Sequence, residues 1–160
     1  MEISLFFFPN LVLFPNIAVS FHIFEERYKL MINGCIDQAE AFGLVLLRSG
    51  ATEESEETIH RVGVTARITD VERLDDGRLN IMCEAETRFR ISRFTQETPF
   101  WKGNVQFFEE EPARESFEAL YDKVAGLYRQ VAALGSELSG SPQSELILPE
   151  SATDLSFMLA

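Results

Sequence analysis

Apolar residues come in short blocks at the start of the chain. Ile3 to Phe8 is a short apolar run closed by Pro9-Asn10, and its length and flanking breaker predict a buried strand rather than a helix. Leu11 to Phe14 is a second apolar piece, stopped by Pro15-Asn16, and Ile17 to Ile23 reads as a third extended segment. From Phe24 the period changes. Phe24, Tyr28, Met31 and Cys35 fall on one helical face, while Glu25, Glu26, Lys29 and Asn33 point elsewhere. The spacing predicts a helix over about 25–39, weakened by Gly34 in its interior. Gly43 to Leu47 is a continuous apolar strand expected to be buried on both faces, and Gly50 to Thr58, with Glu53, Glu54, Glu56 and Glu57, is an acidic solvated loop.

The middle of the chain alternates. Val62, Val64, Ala66 and Ile68 interleave with Gly63, Thr65, Arg67 and Thr69 at a period of two. Asp75-Asp76-Gly77-Arg78 supplies a hairpin turn, with glycine available for a positive φ. Leu79, Ile81 and Cys83 continue on the return strand, followed by Phe89, Ile91 and, in changed register, Phe94; Trp101 to Phe108 adds one more strand. This pattern predicts a closed or nearly closed antiparallel sheet rather than a βαβ series. After Pro112 the chain turns helical. Phe117, Leu120, Val124, Leu127, Val131 and Leu134 keep a three-four spacing up to Gly135, the expected C-cap, and this stripe is expected to pack on the sheet or on another helix. Gly140-Ser141-Pro142 is a turn or linker, and Thr153 or Asp154 could cap a last helix from Leu155.

Composition narrows the function. A chain of 160 residues, 46% hydrophobic, can build a core, and its fourteen Phe must largely fill it. The net charge of -12 repels nucleic-acid phosphate and anionic lipid, which makes nucleic-acid binding unfavourable without excluding a local basic patch. Arg88, Arg90 and Arg93 do alternate with Phe89, Ile91 and Phe94, but alternation puts rings and guanidiniums on opposite faces of a strand: an inward core and a charged outside. Glu2, Pro9 and Pro15 spoil the apolar start as a signal peptide, and no run approaches a membrane span, so a soluble cytoplasmic protein is expected.

Candidate chemistry is sparse. Cys35 and Cys83 have no CxxC or Cys/His ligand spacing and are expected as small buried thiols. His22 and His60 stand far apart, the acidic loop has no calcium-loop pattern, and no HExxH, GxSxG or GxxxxGK[ST] motif occurs. No cofactor, metal or catalytic residue is expected.

Several ordered segments carry a family resemblance. Leu5-Phe6-Phe7-Phe8-Pro9-Asn10-Leu11-Val12-Leu13-Phe14-Pro15 resembles the opening of the Lon protease amino-terminal domain. His22-Ile23-Phe24-Glu25-Glu26-Arg27-Tyr28 is similar to that family's IFExRY segment, and Phe42-Gly43-Leu44-Val45-Leu46 to the strand that follows it. Val62 to Ile68 resembles its VGTxARI strand and Glu86-Thr87-Arg88-Phe89-Arg90 its GxxRFR strand, with Ala85 where the family often has Gly. Asp154 to Ala160 resembles the start of a helix in the family's helical subdomain, so the likeness runs essentially the whole length.

The resemblance implies an α+β fold: a PUA-like β pseudo-barrel of about six mostly antiparallel strands, with a helix after the first strands and a partial C-terminal helical subdomain. On this reading 1–112 forms the barrel and 113–160 a helical appendage shorter than the family's. In full Lon proteases this domain helps capture unfolded or tagged substrates before an ATPase unfolds them and a Ser-Lys dyad cleaves them; nothing in this sequence resembles either of those parts. The expected function is therefore a stand-alone, non-catalytic module that binds peptides or unfolded protein segments. RNA binding through a PUA-like cleft, or an adaptor that forms a homodimer through its helical end, are the alternatives. Phe100 and Trp101, following Pro99 at a strand start, are the candidate peptide contacts. Pro9, Phe14, Pro15, Phe24, Glu25, Arg27, Tyr28, Gly43, Gly63, Arg88 and Phe89 are the motif residues, expected to be structural. In particular, Glu25 suits the positive end of the first helix, which Arg27 and Tyr28 can tie to the barrel.

Overall fold

The computed structural model describes residues 1–9, 11–51, 53–108, 118–139, 148–149 and 155–156. The chain divides into two compact units, Met1–Glu109 and Glu110–Ala160. The first unit runs β1 (Glu2–Phe8), β2 (Ala18–Ile23), α1 (Glu26–Gln38), β3 (Phe42–Leu47), β4 (Ile59–Arg73), β5 (Leu79–Gln96) and β6 (Lys102–Phe107). The strands make one six-stranded sheet in the order β2-β5-β4-β3-β1-β6, with β5 also pairing β6. Pairing is antiparallel except between β1 and β3. The pairings β1-β3-β4-β5-β6 return on β1 only through the short stretch Glu2–Ser4, and β2 lies outside this circuit on the first half of β5, so the result is a pseudo-barrel and not a true closed barrel.

Two apolar layers explain why the strands of the first half read as unbroken apolar runs. Leu5, Phe7, Val45, Phe89, Ile91 and Val105 pack inside the circuit, together with Trp101. Phe6, Phe42, Leu44, Val64 and Ala66 sit on the opposite face, under α1 and β2. Strands β1 and β3 are thus apolar on both faces, as strands covered on both sides must be.

Strand β5 serves both layers by means of a bulge. Val64 pairs with Arg88 and Ala66 with Ala85, so two steps along β4 face three along β5. One extra residue turns the strand over. Leu79, Ile81, Cys83 and Ala85 belong to the outer layer, and Phe89 and Ile91, though also odd-numbered, face the interior. A second shift, between Ile91 and Arg93 against β6, brings the even-numbered Phe94 back to the interior layer.

Helix α1 buries Tyr28, Met31, Ile32 and Cys35 and ends at Ala39, whose left-handed φ of 53° lets its N–H close on Ile36 and that of Glu40 on Cys35. The sequence pattern placed Phe24 on this face. Phe24 instead precedes the helix and is 61% exposed, stacked on His22, because the first turn begins only after Glu25; Ile32 fills the fourth buried position. The hairpin turn forms as expected, with Gly77 at φ +80° and its N–H donating to Leu74 O.

The second unit holds α2 (Glu118–Ser139). The helix continues past Gly135, which is therefore an interior residue and not a C-cap. Ala125 is buried, and Tyr121 donates a hydrogen bond to Pro149 O, so this face belongs to the inside of the unit. The three-four stripe lies elsewhere. Leu120, Leu127, Val131 and Leu134 are each more than half exposed, so the expectation that the stripe packs away is not met among the described residues. Leu155 is buried and helical, whereas Phe117, the Gly140-Ser141-Pro142 linker and the cap at Thr153 or Asp154 lie outside the described residues.

Candidate functional site

Three expected motif residues, Glu25, Arg27 and Tyr28, are drawn together with Glu54 at the start of α1. Arg27 donates from both terminal nitrogens to Glu54, at 2.6 and 2.7 Å, and from Nε to Glu25 at 2.9 Å, with its guanidinium 4.4 Å from the centre of the Tyr28 ring. Tyr28 donates its hydroxyl to Glu54 at 3.0 Å and accepts a long contact from the Phe7 N–H. Partial burial opposes the charge on Arg27, but the bonds to Glu54 and Glu25 outweigh it and raise its pKa. Burial, then the Glu54 carboxylate, raises that of Tyr28. The fork pins the acidic loop to the helix. No local signal in the sequence distinguishes Glu54 from the other three loop glutamates.

The pinned loop forms one wall of a cleft of about 560 Å³ lined by Pro9, Arg27, Leu47, Glu53, Glu54, Glu97, Pro99 and Trp101, among others. Trp101 is buried, edge-on to Phe7 and Phe94, and contributes to the cleft floor. Phe100 is half-buried against the other layer, with the Lys102 ammonium 5.6 Å from its ring centre. The two neighbours thus serve different layers, as alternation along an extended chain demands.

A second depression is a groove of about 200 Å³ lined by Leu11, Val12, Leu13, Leu44, Leu46, His60, Val62, Gly63 and Val64. Its lining is apolar but for His60. Val12 is 57% and Val62 43% exposed, while Leu13, Leu44 and Val64 are buried beneath them. Phe14 is half-buried and Pro15 buried, which anchors the segment that forms one bank. The alternation of β4 fixes the face on which Val62 stands but not whether anything covers that face.

Gly43 and Gly63 stand where strands meet most closely. A Cβ at Gly63 would lie 2.4 Å from Leu44 O, and at Gly43 2.7 Å from the tip of the Phe89 ring. Arg88 and Arg90 flank Phe108, each 5.6 Å from its ring centre, while Phe89 between them is fully buried. Burial pushes the Cys35 thiol up to about 11 and the Cys83 thiol up to about 12, so both are protonated and poor nucleophiles at neutral pH. Among the described residues no group of three or more His, Cys, Asp or Glu could hold a metal, and no helix is long and apolar enough to cross a membrane.

Comparison with known proteins agrees with this geometry. The family model of the ATP-dependent protease La (LON) substrate-binding domain matches residues 2–160. The Lon protease of Porphyromonas gingivalis is 28% identical over 144 residues, which is 87% of this chain and 17% of that protein. That of Flavobacterium johnsoniae is 27% identical over 126 residues, 76% of this chain and 15% of its own length. The chain thus spans less than a fifth of these relatives. Among solved structures, a Lon N-terminal domain protein from Xanthomonas campestris gives a TM-score of 0.63 at 22% identity, covering 94% of this chain and 85% of the other. The N-terminal domain of the Mycobacterium avium complex Lon protease gives 0.62 at 16% identity, covering 86% and 74%. Fold and family model agree: this chain belongs to the Lon substrate-binding domain family.

Proposed function

We propose that this chain is a recognition module that holds apolar segments of unfolded proteins and performs no chemistry on them. The observation that carries the reading is the groove beside Leu11–Leu13, where Val12 and Val62 stand open to solvent above a buried apolar floor. Uncovered apolar surface of this kind favours apolar partners. The family supplies the partner class, since its model describes a substrate-binding domain. The fork of Arg27 on Glu54 and the close approach at Gly63 hold the banks of groove and cleft in place, so the surface is formed before a ligand arrives.

The test is a fluorescence titration of a labelled, permanently unfolded protein. Saturable binding at tens of micromolar is expected, and Val62→Glu should weaken it at least tenfold by placing a charge in the groove. Absence of saturable binding by the wild-type chain would refute the reading. The net charge of -12 argues for a protein rather than a nucleic-acid ligand; a salt series on RNA should show no steep, specific binding.

A further inference from the structure

We infer that the free edge of β2 binds an extended segment of a client polypeptide by strand addition. The inference rests on the recognition reading above and deepens it, because it names the conformation of the client and the main-chain groups that hold it.

The ribbon formed by β2, the first half of β5 and the second half of β4 has two unpaired edges among the described residues. One is the second half of β4: β3 pairs it only as far as Ala66, and Arg67–Arg73 meet β5 alone. The other is β2, which pairs β5 from Ala18 to Ile23 and has no strand on its far side. Exposed edges invite pairing with another chain, and proteins blunt them with charges, bulges and proline. The β4 edge is blunted in two of these ways. A register shift between Ile68 and Asp70 bulges it, and Arg67, Asp70, Glu72 and Arg73 charge it.

The β2 edge has none of these protections. Its six residues, Ala-Val-Ser-Phe-His-Ile, include no lysine, arginine, carboxylate or proline, and its register against β5 is unbroken from Ala18↔Glu84 to Ile23↔Leu79. The Ala85 N–H donates to Ile17 O, which makes residue 17 a bonded position. By the alternation of an antiparallel ladder, Val19, Phe21 and Ile23 bond β5, and the N–H and C=O groups of Ala18, Ser20 and His22 point outward. No backbone bond from these three residues to anything else occurs among the described residues. Phe24, 61% exposed, stands at the end of this edge.

Main-chain donors and acceptors in a row are met fully only by another extended main chain. The layer beneath fixes the side-chain pattern. Phe21 and Ile23 are buried on one face, while Ala18, Ser20 and His22 are exposed on the other. An added strand therefore places alternate apolar residues beside Phe21 and polar ones beside Ser20 and His22. On this face Arg67 holds Glu84, Asn80 donates to Glu72 and Arg78 stands 3.3 Å from His22, so it is the net charge of -12 over the whole chain that favours lysine or arginine among those polar positions. The same charge argues for a client over a second copy, because two chains of -12 each repel.

The experiment uses a labelled nine-residue peptide alternating valine with lysine, and a scan of single backbone N-methylations along it. Binding should fall at least tenfold on methylation at every second position and change less than twofold at those between. Ser20→Pro, which removes one outward N–H without touching the β5 ladder, should weaken the peptide at least tenfold. Its circular dichroism and melting should stay near wild type. If Ser20→Pro unfolds the chain, the methylation scan alone decides. Loss without a period of two, or full binding by a folded Ser20→Pro, would overturn strand addition. So would a sedimentation shift showing that Ser20→Pro abolishes a dimer instead. If unfolded protein still binds and only Val62→Glu removes it, recognition stands and strand addition falls; if wild type binds no unfolded protein, both fall.

Discussion

Alanine at Gly63 and at Gly43 should have unequal costs, and the inequality tests the packing of the barrel interior. At Gly43 the added methyl would meet three side-chain tips: Phe89 Cζ at 2.7 Å, Ile3 Cδ1 at 2.8 Å and Leu5 Cδ2 at 2.9 Å. Each can give way by a small rotation, so the cost is that of ordinary overpacking, about 1–2 kcal/mol. At Gly63 the methyl would also sit 2.4 Å from the carbonyl oxygen of Leu44, on the neighbouring strand. That oxygen belongs to the stretch where Leu44 pairs with Val64, and it cannot retreat without prising β3 from β4. The cost there should reach about 3 kcal/mol or more, lowering the melting midpoint by roughly 10–20 °C for a unit of this size. Thermal and urea unfolding followed by circular dichroism measures both. Phe89→Leu removes the ring tip that both methyls would touch. Combined with Gly43→Ala it should recover about 1 kcal/mol of coupling, and combined with Gly63→Ala almost none, because the carbonyl remains. Equal costs for the two alanines, or equal rescue by Phe89→Leu, would refute this account of the interior.

Two further perturbations address the loop and the thiols. Glu54→Gln should break the fork on Arg27 and cost about 1 kcal/mol, since Arg27 is 36% exposed and screening weakens the pair; hydrogen exchange should quicken over residues 50–58 and not in β1 or β3. Cys35 and Cys83 titrate near 11 and 12 in the folded chain, above the roughly 8.5 of a free thiol, so the unfolded chain loses these protons first. Stability should thus be full below about pH 8.5 and fall as pH rises towards 11, by at most about 1.4 kcal/mol per unit for each thiol. The double variant Cys35→Ala, Cys83→Ala should flatten that decline in urea titrations, and an unchanged slope would exclude the thiols as its cause.

Much of the fold was legible because strand periodicity is local information. The run at β1, the doubly buried β3, the alternation of β4 and the Asp76-Gly77 turn each depend on neighbours within a few residues. The changed register at Phe94 could be read as well, since two inward aromatics of opposite parity require an extra residue between them. What could not be read depends on distant partners. Phe24 has the right spacing for the face of α1 but lies one turn too early, and only the helix start decides this. The α2 stripe is a sound amphipathic pattern, yet the flank beside it, with the small Ala125 and the hydroxyl of Tyr121, is the one turned inward. The candidate site was hardest of all. Trp101 and Phe100 are conspicuous in the sequence but lie largely inside, whereas the groove is made of ordinary valines and leucines whose exposure follows from what fails to cover them.

The bulge in β5 has a mechanical consequence. One continuous strand supplies Leu79 to Ala85 to the layer under α1 and Phe89 to Ile91 to the layer within the barrel. Neither layer can loosen while the other stays intact, since slipping β5 by a single position would evert the side chains of both. The first unit should therefore melt all-or-none, its strands protected to one common free energy, with no half-molten form in which the barrel survives its helix.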